Sequence, residues 1–304
     1  MTMKVLRTPD EQFANLPDYD FAPTYTHIKD EDGTDIRIHS IDIGPKDAKP
    51  ILLMHGNPSW SFIYRYIIKG LIPTGRRIIA LDLVGCGRSD KPAKREYYTL
   101  SRHQDWLRKW LLANDLQDIT LVCQDWGGTL GLKLVADFPE RFERVVASNT
   151  GVPIGDGGNT FLRWWLRLMK IAPGFPWKIA FKPSFAAKKL SSKEYQAYLA
   201  PFPSLKYQAG ICKFPQLITV FSDHPEVERN RKVWEKLGQF NKPFLTVFGD
   251  KDPVTGGVAK KLQRHVPGCK GQNHHTLEGV GHFSPEEAPE ALVKHIMAFI
   301  QQEQ

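Results

Sequence analysis

The sequence predicts an α/β fold: a mostly parallel sheet flanked by helices, with a helical cap inserted after the sixth strand. Three observations carry that prediction. Short β-branched runs alternate with longer helical patterns, as in a parallel sheet covered by helices. The alternation stops between about Gly151 and Pro225, where no convincing strand occurs. An apolar run, a sharp turn and a helical pattern also meet in "LVCQDWGGTLGL" (Leu121–Leu132).

In chain order, a weak strand near Tyr25–Lys29 precedes "DIRIHSIDI", "PILLMHG", "RRIIALDLVG", "ITLVCQD", "RVVASNTG", "PFLTVFGD" and "HHTLEGVG". The first two strands lie close together with no helix between them, which predicts an antiparallel hairpin at one edge. Helical patterns occupy Ser61–Leu71, Leu100–Ala113, Trp126–Phe138 and Ala288–Gln301. The interrupting segment holds "FLRWWLRLMK", several prolines and short helical stretches. The chain therefore divides into a core domain, residues 1–151 and 226–304, and a helical cap, residues 152–225.

The composition narrows the function classes. The chain has 304 residues, 41% hydrophobic and 24% charged, which suits a soluble globular protein with a large core. Its formal charge of +8 raises nucleic-acid binding as a reading. The basic residues are scattered, however, and the densest cluster, "KPSFAAKKL", lacks a recognised motif, so a solvated basic surface is the better account. The four cysteines show neither close pairing nor metal-ligand spacing. No apolar leader or membrane-length run occurs. The expectation is a cytoplasmic monomer with no nucleic-acid or membrane partner.

Strand, sharp turn and helix are the geometry of a nucleophile elbow, and here the apex is Asp125 rather than serine. A helix N-cap also favours Asp, but it does not explain a buried strand before the residue and "WGG" after it. Gly127 and Gly128 allow the close strand–helix approach that such a turn needs. "MHGNPSW" (Met54–Trp60) follows another strand and can bring the Asn57 backbone N–H and side-chain amide to the same cavity. A plain turn is its simpler reading.

In this type of site the acid and then a histidine follow the nucleophile along the chain. Of the ten histidines, His282 in "EGVGHFSPEE" stands apart, because it lies in a loop after the last strand. His274 and His275 fall in that strand and His295 in the last helix. The sixth strand ends in "SNTGVPIG", with no carboxylate before Asp156. "FGDKDPV" then supplies Asp250, a turn residue, and Asp252, the better orienter of His282.

With these residues assembled, the chain resembles the haloalkane dehalogenases of the α/β-hydrolase superfamily over nearly its whole length. "LRTPDEQFANLPDYDFAP", "HGNPSWSFIYR", "GCGRSDKP", "QDWGG", "YLAPFPSLKYQAGICKFP" and "GHF" match subfamily I. The resemblance implies an α/β-hydrolase fold and an alkyl ester formed on Asp125 when its carboxylate displaces halide. His282, held by Asp252, would then activate water, and the backbone N–H groups of Asn57 and Trp126 would meet the oxyanion. Halide binding would fall to the indole of Trp126 and to Trp164 of an "FxxW" motif with Phe161. The implied partners are a small haloalkane, water and a halide ion, and no cofactor or metal is expected. Two departures bear on the donor set. Trp165, Leu168 and Met169 also fit an apolar helix stripe, and Asn57 stands where some subfamily I members carry glutamate, so Asn57 can share the halide. An epoxide hydrolase is the nearest rival and would need cap tyrosines, for which Tyr195, Tyr198 and Tyr207 are available. A luciferase-like or ligand-binding relative on the same fold is the third reading.

Overall fold

One sheet of eight strands organises the molecule. The computed structural model describes residues 2–155, 160–181, 184–219 and 221–302, without the side chains of 161–163 and 165. The strands are β1 (Thr24–Lys29), β2 (Asp35–Ile43), β3 (Pro50–Met54), β4 (Arg77–Leu81), β5 (Ile119–Gln124), β6 (Phe142–Ser148), β7 (Phe244–Gly249) and β8 (His275–Leu277). Across the sheet they run β8-β7-β6-β5-β3-β4-β2-β1. β1 and β2 form the expected antiparallel hairpin at one edge, β2 pairs antiparallel with β4, and all other neighbours are parallel.

Every residue of β3, β5, β6 and β7 is buried. Helices cover both faces of a parallel sheet, so its inner strands are apolar on both sides rather than alternating. The covering helices include α1 (Arg65–Leu71), α2 (Leu100–Ala113) and α3 (Asp125–Asp137). Thr99 caps α2, its side chain accepting from the Arg102 N–H at 3.1 Å. The strand order reverses beside β3, and β5 ends next to it. Open parallel sheets bind ligands at such a point, beyond the carboxyl ends of the strands.

Between β6 and β7 the chain leaves the sheet through α4 (Thr160–Ile171), α5 (Ser192–Leu199) and α6 (Ala209–Lys213). Ser191 and Glu194 close a reciprocal capping box on α5. The chain returns through α7 (Glu226–Leu237), which packs on α3. The sequence reading missed α7 and also α8 (Val258–His265). In α7 the inward residues Val227, Val233, Trp234 and Leu237 have helical spacing, but the charged residues between them mask it. The C-terminal elements are α9 (Ser284–Glu287) and α10 (Pro289–Ile300). A two-residue ribbon, Val5–Leu6 with Lys91–Pro92, ties the N-terminal segment to the core. No helix among the described residues is long and apolar enough to cross a membrane. All four cysteines are buried and unpaired with one another.

α3 starts directly after the last residue of β5, and glycine makes that junction possible. A Cβ on Gly127 would stand 2.1 Å from the Met54 carbonyl oxygen of β3, and one on Gly128 would stand 2.1 Å from Thr150 Oγ1. Neither distance is sterically possible. Gly127→Ala should therefore push α3 off β3 and destabilise the protein by about 1–3 kcal/mol, as overpacking does elsewhere. The midpoint of urea unfolding checks this, and an unchanged midpoint would show that the contact is softer than described.

Candidate active site

Asp125 stands at the apex of the β5–α3 turn with φ of 52°, left-handed backbone that a non-glycine residue rarely adopts. Its surroundings hold it there. The Asp125 N–H donates to Asn149 O at 3.2 Å, and Thr150 Oγ1 donates to Asp125 O at 2.6 Å. Opposite the turn, a Cβ on Gly56 would fall 2.2 Å from Asp125 Oδ1. The Asn57 N–H donates to that same Oδ1 at 2.8 Å. Trp126 opens the first turn of α3, where backbone N–H groups have no partner within the helix.

His282 leaves the end of β8 in a loop and lies between two carboxylates. Its Nδ1 donates to Asp252 Oδ2 at 3.0 Å and its Nε2 to Asp125 Oδ2 at 3.2 Å. Asp252 sits after β7 and also accepts from Asn149 Nδ2 at 3.0 Å, from the Val254 N–H at 2.8 Å and from Thr255 Oγ1. Gln124 Nε2 donates to His282 O at 2.9 Å and fixes the loop from the strand side. The structure thus brings Asp125, Asp252, His282, Asn57 and Trp126 together. Asp250 accepts from the Gly279 N–H at 2.7 Å and pairs with Lys251, a turn residue as read. Sequence reading missed Gln124, Asn149, Thr150 and Thr255. Asn149 was visible as the polar end of the sixth strand, but nothing local to it announced a bond to a residue 103 positions away.

Burial alone would drive the proton off His282. The charge of Asp252 and the hydrogen bonds to Asp125 and Asp252 outweigh it and push the pKa up to about 10. Burial also works against a charged Asp252, yet the charge of His282 and its hydrogen bond hold that carboxyl well below its usual range.

Two apolar lobes, of about 80 and 160 Å³, adjoin the nucleophile and share Asp125, Trp126, Ile218 and Val254. Phe175, Phe181, Pro215 and Phe283 wall the smaller one, which also holds His282 and Asn57. The Trp126 indole is 6% exposed and makes no hydrogen bond to the described residues, so its N–H is free for a ligand. The Asn57 Oδ1 is buried without a partner, and no described residue accepts from its amide N–H₂.

Trp164, expected as a halide donor, stands on the outer face of α4 in this structure. It is 52% exposed and lines neither lobe. Helical geometry gives the reason. Met169, fully buried, lies five residues on, which is about 140° around a 3.6-residue helix. Turning Met169 inward therefore turns Trp164 outward, together with Ile171, which is 81% exposed. The side chains of Phe161 and Trp165 lie outside the described residues. Tyr195, Tyr198 and Tyr207 line neither lobe, and the Tyr198 hydroxyl is committed to Glu286 Oε2 at 2.5 Å. The acid set that an epoxide hydrolase would require is therefore missing from the described walls. No group of described His, Cys, Asp and Glu residues could hold a metal ion.

One consequence concerns His282 alone. Removing the Asp125 carboxylate removes both a charge and a hydrogen bond that raise the His282 pKa. In Asp125→Ala the pKa should fall by about one to three pH units. NMR titration of the imidazole measures it, and an unmoved pKa would mean that the two side chains do not interact.

Comparison with known proteins gives a consistent picture. Residues 49–289 match the family described as alpha/beta hydrolase fold. A haloalkane dehalogenase of Psychrobacter cryohalolentis is 47% identical over 98% of both chains. One from Mycolicibacterium paratuberculosis is 39% identical over 98% of this chain and 99% of its own. Among solved structures, the tetrameric haloalkane dehalogenase DpaA from Paraglaciecola agarilytica NO2 superposes with a TM-score of 0.88, at 31% identity and 99% coverage of both chains.

Proposed function

The chain belongs to the haloalkane dehalogenases of the α/β-hydrolase family, and from that membership we propose how its residues cleave a carbon–halogen bond. The observation that carries the proposal is the bridge Asp252–His282–Asp125 beside an apolar cavity. One Asp125 oxygen attacks the sp³ carbon from the side opposite the halogen. The carbon–halogen bond breaks as the ester bond forms, and the halide leaves with the electron pair. A carboxylate is ionised at neutral pH and needs no base for this step, which accounts for an acid where serine is common.

Ester formation resets the histidine. Esterified Asp125 has no charge and no anionic acceptor, so two of the causes that raise the His282 pKa vanish together. His282 can then release a proton at neutral pH and, in the next step, take one from water. That water attacks the ester carbonyl. Asn57 N–H already points at Oδ1, and with Trp126 N–H it supplies the oxyanion donors. Collapse releases the alcohol and restores Asp125. Asp252 stays ionised throughout and orients the ring.

For the halide, the free donors at the cavity support Trp126 and Asn57 as the binding pair. Indole N–H is donor only and does not compete for a proton. The acid after β7 and the "QDWGG" elbow support subfamily I, although an Asn57–Trp126 pair departs from its two-indole pattern. Residues 152–225 act as a cap that closes the lobes over the nucleophile. The small, apolar lobes favour short haloalkanes over polar or branched ones.

The half-reactions can be separated. Asp125→Ala should abolish turnover. His282→Phe with 1-bromobutane should release about one bromide per enzyme and gain the mass of one butyl group. Sustained turnover by His282→Phe, or a folded variant that never alkylates, would sink the assignment.

Halide contact is testable through tryptophan fluorescence. Bromide or iodide should quench the parent protein. Replacing Trp126 with Phe or Asn57 with Ala should weaken halide binding and slow halide release by ~10²–10³. Trp164→Phe should leave the halide affinity unchanged. If that variant instead loses it, α4 turns its outer face inward when halide binds.

A further inference from the structure

A second cluster of charges lies beside the site and takes no part in the steps above. Glu286, fully buried four residues after His282, accepts four hydrogen bonds. Two come from the core residue Arg65, Nη1 to Oε2 at 2.5 Å and Nη2 to Oε1 at 2.7 Å. Two come from the segment between β6 and β7: Lys188 Nζ at 2.5 Å and the Tyr198 hydroxyl at 2.5 Å. Glu194 completes the cluster, accepting from Arg65 Nη2 at 3.0 Å and Lys188 Nζ at 2.7 Å. Two cations and two anions therefore balance.

The same loop is tied to that segment at further points. The His282 N–H donates to Ser184 O at 3.3 Å, and Glu287 Oε2 accepts the Ala186 and Ala187 N–H groups, each at 2.6 Å. Gly281 leaves no room for a side chain: a Cβ there would stand 2.8 Å from both Ser184 O and Glu287 Oε1. The loop that carries the histidine thus has one wall made of cap and the other of core.

We propose that Glu286 is a positioning residue for the hydrolytic half-reaction, a latch through which the closed cap holds the His282 loop against Asp125. The inference rests on the two-step chemistry proposed above. The latch bears little on alkylation, because Asp125 keeps its bonds to Asn57, Asn149 and Thr150 when its contact with His282 loosens, and none of those three touches the cluster. It bears directly on ester hydrolysis, because the imidazole must hold a water in line with the ester carbonyl. A small displacement there is costly, since misplacement by about 1 Å can cost ~10²-fold in rate. A buried ion cluster is by itself weak evidence for stability, so the structural alternative has to be separated experimentally.

The experiment follows single turnover of 1-bromobutane, reading bromide release for alkylation and loss of the butyl adduct by intact mass for hydrolysis. In Glu286→Gln the bromide burst should keep its parental rate while hydrolysis slows about ten- to a hundredfold, so that alkyl-enzyme accumulates. That substitution also leaves an unbalanced buried cation. The double variant Glu286→Gln with Lys188→Met restores the balance, and its thermal midpoint should recover while hydrolysis stays slow. Tyr198→Phe, which removes one cap donor, should retard the same step to a smaller extent. The proposal is overturned if folded Glu286→Gln hydrolyses at the parental rate, if both steps fall by the same factor, or if hydrolysis recovers with the midpoint in the double variant. Failure of the underlying chemistry looks different: His282→Phe would then carry no butyl adduct at all.

Discussion

Everything at this site depends on one backbone turn. Asp125 holds a left-handed conformation immediately after a buried strand, and such a residue is strained by about 1–3 kcal/mol. The turn directs the side chain out of the sheet's edge and starts α3 close against β3. Three surrounding residues, Gly56, Gly127 and Gly128, lack side chains where a single Cβ would collide. The Asn57 N–H bond, the neighbouring Trp126 indole and the reach of His282 all meet at that carboxylate.

The second constraint is electrostatic. A buried histidine between two carboxylates is stable as a cation, which makes it a poor base. In the proposed reaction the first step removes the obstacle, because it would convert one carboxylate into a neutral ester. On that proposal one side chain would act first as nucleophile and then, once modified, lower the proton affinity of its neighbour. Serine could not do this, since esterifying a hydroxyl removes no formal charge. The choice of acid at the elbow would thus set the timing of both proposed steps.

Much of this was legible in the sequence because the relevant signals are local. The strand runs, the elbow and the loops around Asn57, Asp252 and His282 each occupy a few consecutive residues with distinctive turn chemistry. What escaped was long-range or rotational. Asn149 bonds Asp252 across two strand ends, and the Arg65–Glu286–Glu194 cluster joins three distant segments. The helices α7 and α8 were missed because charged surfaces dilute short apolar stripes. The direction of the Trp164 side chain was not legible for another reason. Its motif spacing fixes a residue's place along a helix but not the roll of that helix, and buried Met169 sets the roll.

The contact between Asn149 and Asp252 also has an evolutionary meaning. The two residues end adjacent strands, β6 and β7, and their side chains touch at 3.0 Å. An acid at position 149 would therefore lie beside the present one, at the neighbouring strand end. A lineage could pass from one arrangement to the other through two single exchanges, the carboxylate moving from one strand to its neighbour while the amide takes the vacated place. Enzymes that differ in which strand bears the acid need not have separate origins. They can be two settings of one pair of neighbouring positions.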